Sequence, residues 1–149
     1  MTSDADRYLG QLADPDEQVR ARAAIALHRM THPRALEACL RTLDDAADSL
    51  HADRTPAVAC LVEIGRPALA PLVDRLEAPD EQTRIHARRA VEGITRREFG
   101  FDGSTWSDAD RDRWLAWWAS IGYEHAGSAD DRAAAVARLR AWMRSPTPP

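Results

Sequence analysis

The sequence contains no lysine: all twenty of its basic residues are arginine, set against twenty-four acidic ones for a net charge of -4. Proteins built to grip phosphate backbones are usually basic overall, so this balance argues against nucleic acid as the main partner. The missing lysine and the twenty-eight alanines together read as a coding bias toward GC-rich codons. Cysteine is scarce. Cys39 and Cys60 are two isolated thiols that form neither a disulfide framework nor a CxxC motif, and each reads as buried apolar filler. No apolar run approaches the length of a membrane span. The opening Met1-Thr2-Ser3-Asp4-Ala5-Asp6 is acidic and has no apolar core, so it is not a signal peptide. The expectation is a cytoplasmic protein without membrane contact.

Signatures of catalysis are missing too. There is no GxSxG elbow and no phosphate-cradling glycine loop. Gly100-Phe101-Asp102-Gly103 reads as a turn only. His28 and His32 have the four-residue spacing of a helical metal pair, but Pro33 ends the helix there and no acidic ligand lies close in sequence. No metal, cofactor or catalytic residue is expected.

What is present is helical periodicity. With 149 residues, 44% hydrophobic and 30% charged, the composition suits one ordered domain spanning 1–149. Val19, Ala23, Ala26, Leu27 and Met30 draw one apolar stripe; Leu36, Leu40, Leu43, Ala47 and Leu50 draw another; Leu69, Leu72, Val73 and Leu76 a third. No segment alternates long enough to be a strand. Pro15, Pro33, Pro56, Pro67 and Pro79 stand where helices begin, Asp14 and Glu17 have capping-box spacing, and Gly65 is a stop signal. The pattern predicts eight helices near 4–12, 15–30, 33–51, 56–64, 67–77, 80–96, 108–120 and 129–144, with a frayed tail over 145–149.

The helices repeat. Asp14-Pro15-Asp16-Glu17-Gln18-Val19-Arg20 returns sixty-four positions later as Ala78-Pro79-Asp80-Glu81-Gln82-Thr83-Arg84, and Ala23, Ala26, Leu27 and Thr31 correspond to Ala87, Ala90, Val91 and Thr95. A degenerate copy over 55–65 lies between them, giving a period near thirty-two residues, each unit a helix pair. One such pair cannot cover its own apolar face, so neighbours must stack. Arg20 and Arg84, at equivalent positions, are expected to bond acids or carbonyls of the adjacent turn, forming a ladder between units.

The segment Glu63-Ile64-Gly65-Arg66-Pro67-Ala68-Leu69-Ala70-Pro71-Leu72-Val73-Asp74-Arg75-Leu76, followed by Pro79-Asp80-Glu81-Gln82-Thr83-Arg84, resembles a short HEAT-like repeat of the bilin-lyase type. The resemblance covers about residues 10–97. It implies an all-α fold: a short α-solenoid of about three HEAT-like helix pairs, closed by a Trp-rich helical cap over 98–144. Phe99-Gly100-Phe101-Asp102 and the tryptophans that follow resemble a C-terminal segment found on bacterial HEAT-like proteins, from which Arg96 departs. Trp106, Trp114, Trp117 and Trp118 read first as a cap over the open end of the array, with Trp142 packed on them, and alternatively as an aromatic ligand surface.

By the same resemblance the expected function is non-catalytic protein–protein interaction, a scaffold or adaptor role, through a concave face lined by the second helix of each pair. Arg34, Glu37, Arg41, Arg66, Asp74 and Arg75 are the candidate contacts, and their mixed signs suit a protein partner of unknown identity. The alternative implied is an auxiliary or lyase-like protein that binds a tetrapyrrole or another flat ligand. A basic patch of Arg84, Arg88, Arg89, Arg96 and Arg97 would receive an acidic partner or a phosphate, unless nearby acids balance it. The iron-binding HEAT-like deoxyhypusine hydroxylases carry His-Glu dipeptides that this chain lacks. The HEAT-like alkylpurine DNA glycosylases are longer and basic.

Overall fold

Six helices begin at a side chain that accepts a hydrogen bond from the backbone of its own first turn. Ser3, Asp16, Thr55, Asp80, Ser107 and Ser128 take the N–H groups of Asp6, Gln18, Val58, Gln82, Asp110 and Asp131, each satisfying an otherwise orphan donor. The computed structural model describes residues 2–145, of which only Ser145 belongs to the predicted frayed tail; residues 146–149 lie outside the described residues. The helices are α1 (Asp4–Gln11), α2 (Glu17–Arg29), α3 (Ala35–Arg41), α4 (Pro56–Ile64), α5 (Leu69–Arg75), α6 (Glu81–Glu98), α7 (Asp108–Ile121) and α8 (Ala129–Arg144), with a 3-10 turn over Arg66–Ala68. Among the described residues there is no strand.

The chain divides into two compact units, one ending at Ala68 and the other beginning at Leu69. In the first, α2 packs against α1, α3 and α4. Small residues on α2 (Ala21, Ala23, Ala24) allow close approach, and Leu27 is sealed beneath them. In the second, α5 packs on α6 and α8, and α7 on α6 and α8. Leu69, Leu72 and Leu76 are fully buried there with Val91, Ile94 and Leu139, at about 1.5–3 kcal/mol for each such side chain.

Two sequence expectations are corrected. The third helix ends at Arg41, not near residue 51. Thr42 turns its hydroxyl back onto the carbonyl of Ala38, Ala46 adopts a left-handed conformation, and Asp48 accepts the N–H of Leu50. These local bonds compete with helix continuation. Leu50, assigned to the apolar stripe, is 85% exposed. At the start of the second helix, Asp14 caps only the turn ahead of it, through the N–H of Asp16; Asp16 itself is the helix cap.

The repeat is visible in two guanidinium groups. Arg20 reaches back six residues to the carbonyl of Asp14 at 2.7 Å, and Arg84 does the same to Ala78 at 2.8 Å. The remaining donors differ. Arg20 holds both carboxylate oxygens of Asp45, which pins the segment after α3. Arg84 bonds the carbonyls of Pro79 and His125, which pins the segment between α7 and α8. The buried Tyr123 adds a bond from its hydroxyl to the carbonyl of Leu76 at 2.7 Å. Both arginines bond acids or carbonyls of nearby turns as expected, but each within its own compact unit, and these bonds do not form the expected ladder between repeat units.

Arg84→Lys tests this clamp. An ammonium keeps the charge but cannot serve three carbonyls in a fixed fork. The expected loss is about 2–3 kcal/mol of unfolding free energy in urea, because buried carbonyls are left without donors. An unchanged midpoint would refute the role.

Candidate interaction faces

Surface charge on the short helices is sparse and mixed. Arg34 precedes α3 and pairs with Glu37 at 3.1 Å, both exposed; the pair holds the Glu37 carboxyl below its ordinary range, by hydrogen bond first and then by charge. Arg41 is exposed at the end of the same helix. Arg66 lies in the 3-10 turn, half-buried. In the second unit Asp74 is exposed on α5 and is taken by Arg140 of α8 at 2.6 Å, while Arg75 beside it is half-buried. The structure therefore gathers Arg34, Glu37 and Arg41 around one helix and Asp74 and Arg75 on another.

The arginines of α6 do not form an open basic patch. Arg84 is buried among carbonyls, as above. Glu92, only 8% exposed, collects Arg88 at 2.9 Å, Arg96 at 3.5 Å and Arg89 at 4.0 Å. One carboxylate thus serves as the counter-charge for three guanidinium groups, all on its own helix at spacings that meet on one face. Arg97 alone of the five is exposed. Of the nearby acids, Glu92 is the one that pairs with Arg88, Arg89 and Arg96.

The tryptophans are packed against one another. Trp114 and Trp117 are buried; Trp106 and Trp118 are half-buried. Trp114 stacks on Trp118 at 5.9 Å and 9°, and Trp117 lies 4.7 Å from Trp142 and 5.2 Å from Phe99. The indole N–H groups of Trp114 and Trp106 donate to the Thr95 hydroxyl and the Phe99 carbonyl. Arg96, the departure from the expected pattern, lays its guanidinium 4.6 Å over the Trp114 ring, a cation–π contact.

The turn feeding this cluster is tightly specified. Asp102 accepts from the Thr105 hydroxyl and from the N–H groups of Thr105 and Ser104, which holds its carboxyl well below the usual carboxylate range. Gly100 sits at φ 100°, and a Cβ there would meet the Asp110 carboxylate at 2.6 Å, so the turn admits only glycine.

Two contacts in the first unit were hidden from the sequence. His28 lies 2.7 Å from Glu63, thirty-five residues away, while His32 is used locally as an acceptor for the Arg34 N–H. Cys39 and Cys60 are not isolated: both are buried and each shifts the other's ionisation. The neighbouring Cys60 thiol, followed by burial, drives the ionisation of Cys39 far up. Cys60 is drawn below the ordinary thiol range, chiefly by Cys39 and then by the charges of His28 and Arg29. Both positions sit on the inward faces of packed helices, α3 and α4, and that was the only signal available. Among the described residues no three His, Cys, Asp or Glu side chains are grouped to hold a metal. No single helix among them is long and apolar enough to cross a membrane.

Helix pairs with a sixty-four-residue correspondence and a shared arginine clamp define a helical-repeat protein. A family model described as HEAT repeats matches residues 6–92, and the chain belongs to the HEAT-repeat family. The all-α fold class expected from the sequence is thereby established. The matched stretch stops within α6, short of the tryptophans on α7 and α8. No curated protein and no solved structure matches the chain.

The thiol pair yields a pH prediction. Cys39→Ala removes the thiol whose proximity favours the Cys60 thiolate, so Cys60 should ionise at higher pH than in the parent protein. Ultraviolet absorbance of the thiolate, followed against pH, reads this directly; a curve that does not move, or moves down, contradicts that influence.

Proposed function

We propose that the chain is a non-catalytic protein-binding module, an adaptor or scaffold, that receives its partner on the charged faces carried by the second helices of its HEAT pairs. HEAT repeats generally mediate protein–protein interaction, and the family assignment is the starting point. One observation supports the particular face: Arg34, Glu37 and Arg41 are exposed and held only by a surface ion pair. Such pairs contribute little in water and exchange readily for a partner's charges. Asp74, likewise exposed, has the same character in the second unit. The other candidate surfaces are largely used internally, since Glu92 pairs with Arg88, Arg89 and Arg96 and the indoles pack on one another. This favours a protein partner over a polyanion or a tetrapyrrole. Gly65 ending α4 and the leucines of α5 support the bilin-lyase type of repeat within the family. A cytoplasmic setting belongs to the same proposal.

Reversing the charges in a triple variant, Arg34→Glu, Glu37→Arg and Arg41→Glu, leaves the buried face of α3 untouched. Affinity capture should then lose the proteins retained by the parent chain, with helical circular dichroism unchanged. Retention of the same proteins would overturn the choice of face.

A further inference from the structure

Between α1 and α2 lies an open groove of about 780 Å³, lined by Asp4, Arg7 and Tyr8 from one helix and by Val19, Arg22, Ile25, Ala26, Arg29 and Met30 from the other. Its floor is apolar and its rim is not. Arg22 and Arg29 are exposed, and among the described residues neither guanidinium has an ion pair or hydrogen bond. Arg7 is held by Asp4 at 3.4 Å and lies over the Tyr8 ring. Three positive charges thus stand against one negative in a chain whose net charge is -4.

The internal repeat shows what this face of α2 is shaped for. Sixty-four positions on, Arg22, Ala26 and Met30 correspond to His86, Ala90 and Ile94 of α6. Those three are at most 2% exposed, whereas Met30 is 43% exposed and Ala26 half-buried. Three positions of this helix face are thus buried in one copy of the repeat and exposed or half-buried in the other, while Thr83, Arg89 and Gly93, the counterparts of Val19, Ile25 and Arg29, are half-buried. A large exposed methionine beside isoleucine and valine costs free energy in water that a covering element would recover. Met is also the side chain that best adapts to a partner's shape.

We infer that the groove between α1 and α2 docks an acidic amphipathic helix from a partner protein, its apolar stripe on Val19, Ile25, Ala26 and Met30 and its carboxylates on Arg22 and Arg29. The charges select this occupant. Arg22 and Arg29 are seven residues apart on one helix, so their stems stand about 10.5 Å apart along its axis. A helical ligand meets them with acidic residues at the same seven-residue interval, two turns apart. Each guanidinium offers a fork that fits a carboxylate bidentately. This surface is separate from the α3 and α5 faces proposed above, and either can fail without the other.

The test uses the full chain and a labelled synthetic sixteen-residue helical peptide, with a leucine stripe and glutamates seven apart. Controls are the same peptide with lysine for glutamate and a scrambled peptide of identical composition. Fluorescence anisotropy should show the acidic peptide binding with salt-dependent affinity. Arg22→Glu and Arg29→Glu should each weaken it by about tenfold or more, as reversal of a rim charge opposite a partner charge requires. Met30→Ser should weaken it without changing the salt dependence. Arg34→Glu with Arg41→Glu, on the other face, should leave it unchanged. No binding, equal binding of the lysine or scrambled peptide, or indifference to Arg22→Glu would each overturn the inference. So would sedimentation that showed a dimer abolished by Arg22→Glu, since the groove would then belong to a second copy.

Discussion

A guanidinium that reaches back across the first turn of its own helix, to a carbonyl six residues earlier, is the contact on which the hairpins are built. A chain leaving one helix and entering the next exposes carbonyls that cannot join either ladder. Arg20 and Arg84 supply the missing donors at Asp14 and Ala78. Because the group is planar and carries several N–H bonds, one arginine fixes its own turn and still has donors for a second segment. That second bond is where the copies diverge: Arg20 takes a carboxylate at Asp45, and Arg84 a carbonyl at His125. Each unit hangs its least regular segment on this residue. Lysine would preserve charge and lose the fork, which gives a structural use for arginine at two positions of a lysine-free chain.

In the second unit Phe99, Phe101, Trp106, Trp114, Trp117 and Trp118 gather with Trp142 of α8 into one aromatic cluster. Two of its indole N–H groups, those of Trp114 and Trp106, reach the Thr95 hydroxyl and the Phe99 carbonyl, and Arg96 supplies a cation over Trp114. The arrangement depends on Glu92, because a half-buried guanidinium over an indole needs a nearby counter-charge. The packed rings and the neutralised arginines are one construction. A feature that stands out in composition is thereby drawn into the core.

The all-helical class, the position of most helices and the repeat were legible in the sequence because they are carried by local periodicity and by capping residues. Thr55 with Pro56, Ser107, and Gly65 are signals read within a few residues of where they act. The long third helix failed because its pattern continued past the point where Thr42 and Asp48 chose local bonds and Arg20 captured Asp45. A periodicity count does not register that competition. Contacts across sequence distance were out of reach for the same reason: the Cys39–Cys60 pair and the His28–Glu63 pair need the packing of separate helices before they exist. Of the candidate sites, the α6 patch could be named but not weighed, since the pairing of three of its arginines rests on Glu92 being buried among them.

What separates an interaction surface from a structural one in this chain is whether a charge has already been spent. Arginines that serve a backbone carbonyl or a buried carboxylate cannot be withdrawn without leaving an unpaired group in the interior, so they resist recruitment by a partner. Arginines at the surface, paired loosely or unpaired beside an apolar floor, gain from any partner that brings carboxylates and excludes water. By that criterion Arg84, Arg88 and Arg96 belong to the fold, and Arg34 and Arg41 to an exchangeable face. Arg22 and Arg29 lie furthest toward recruitment, since neither has an ion pair or hydrogen bond among the described residues and the counterparts of Arg22, Ala26 and Met30 in the other copy are buried. The open copy of a repeated face is where a repeat protein retains unused binding energy.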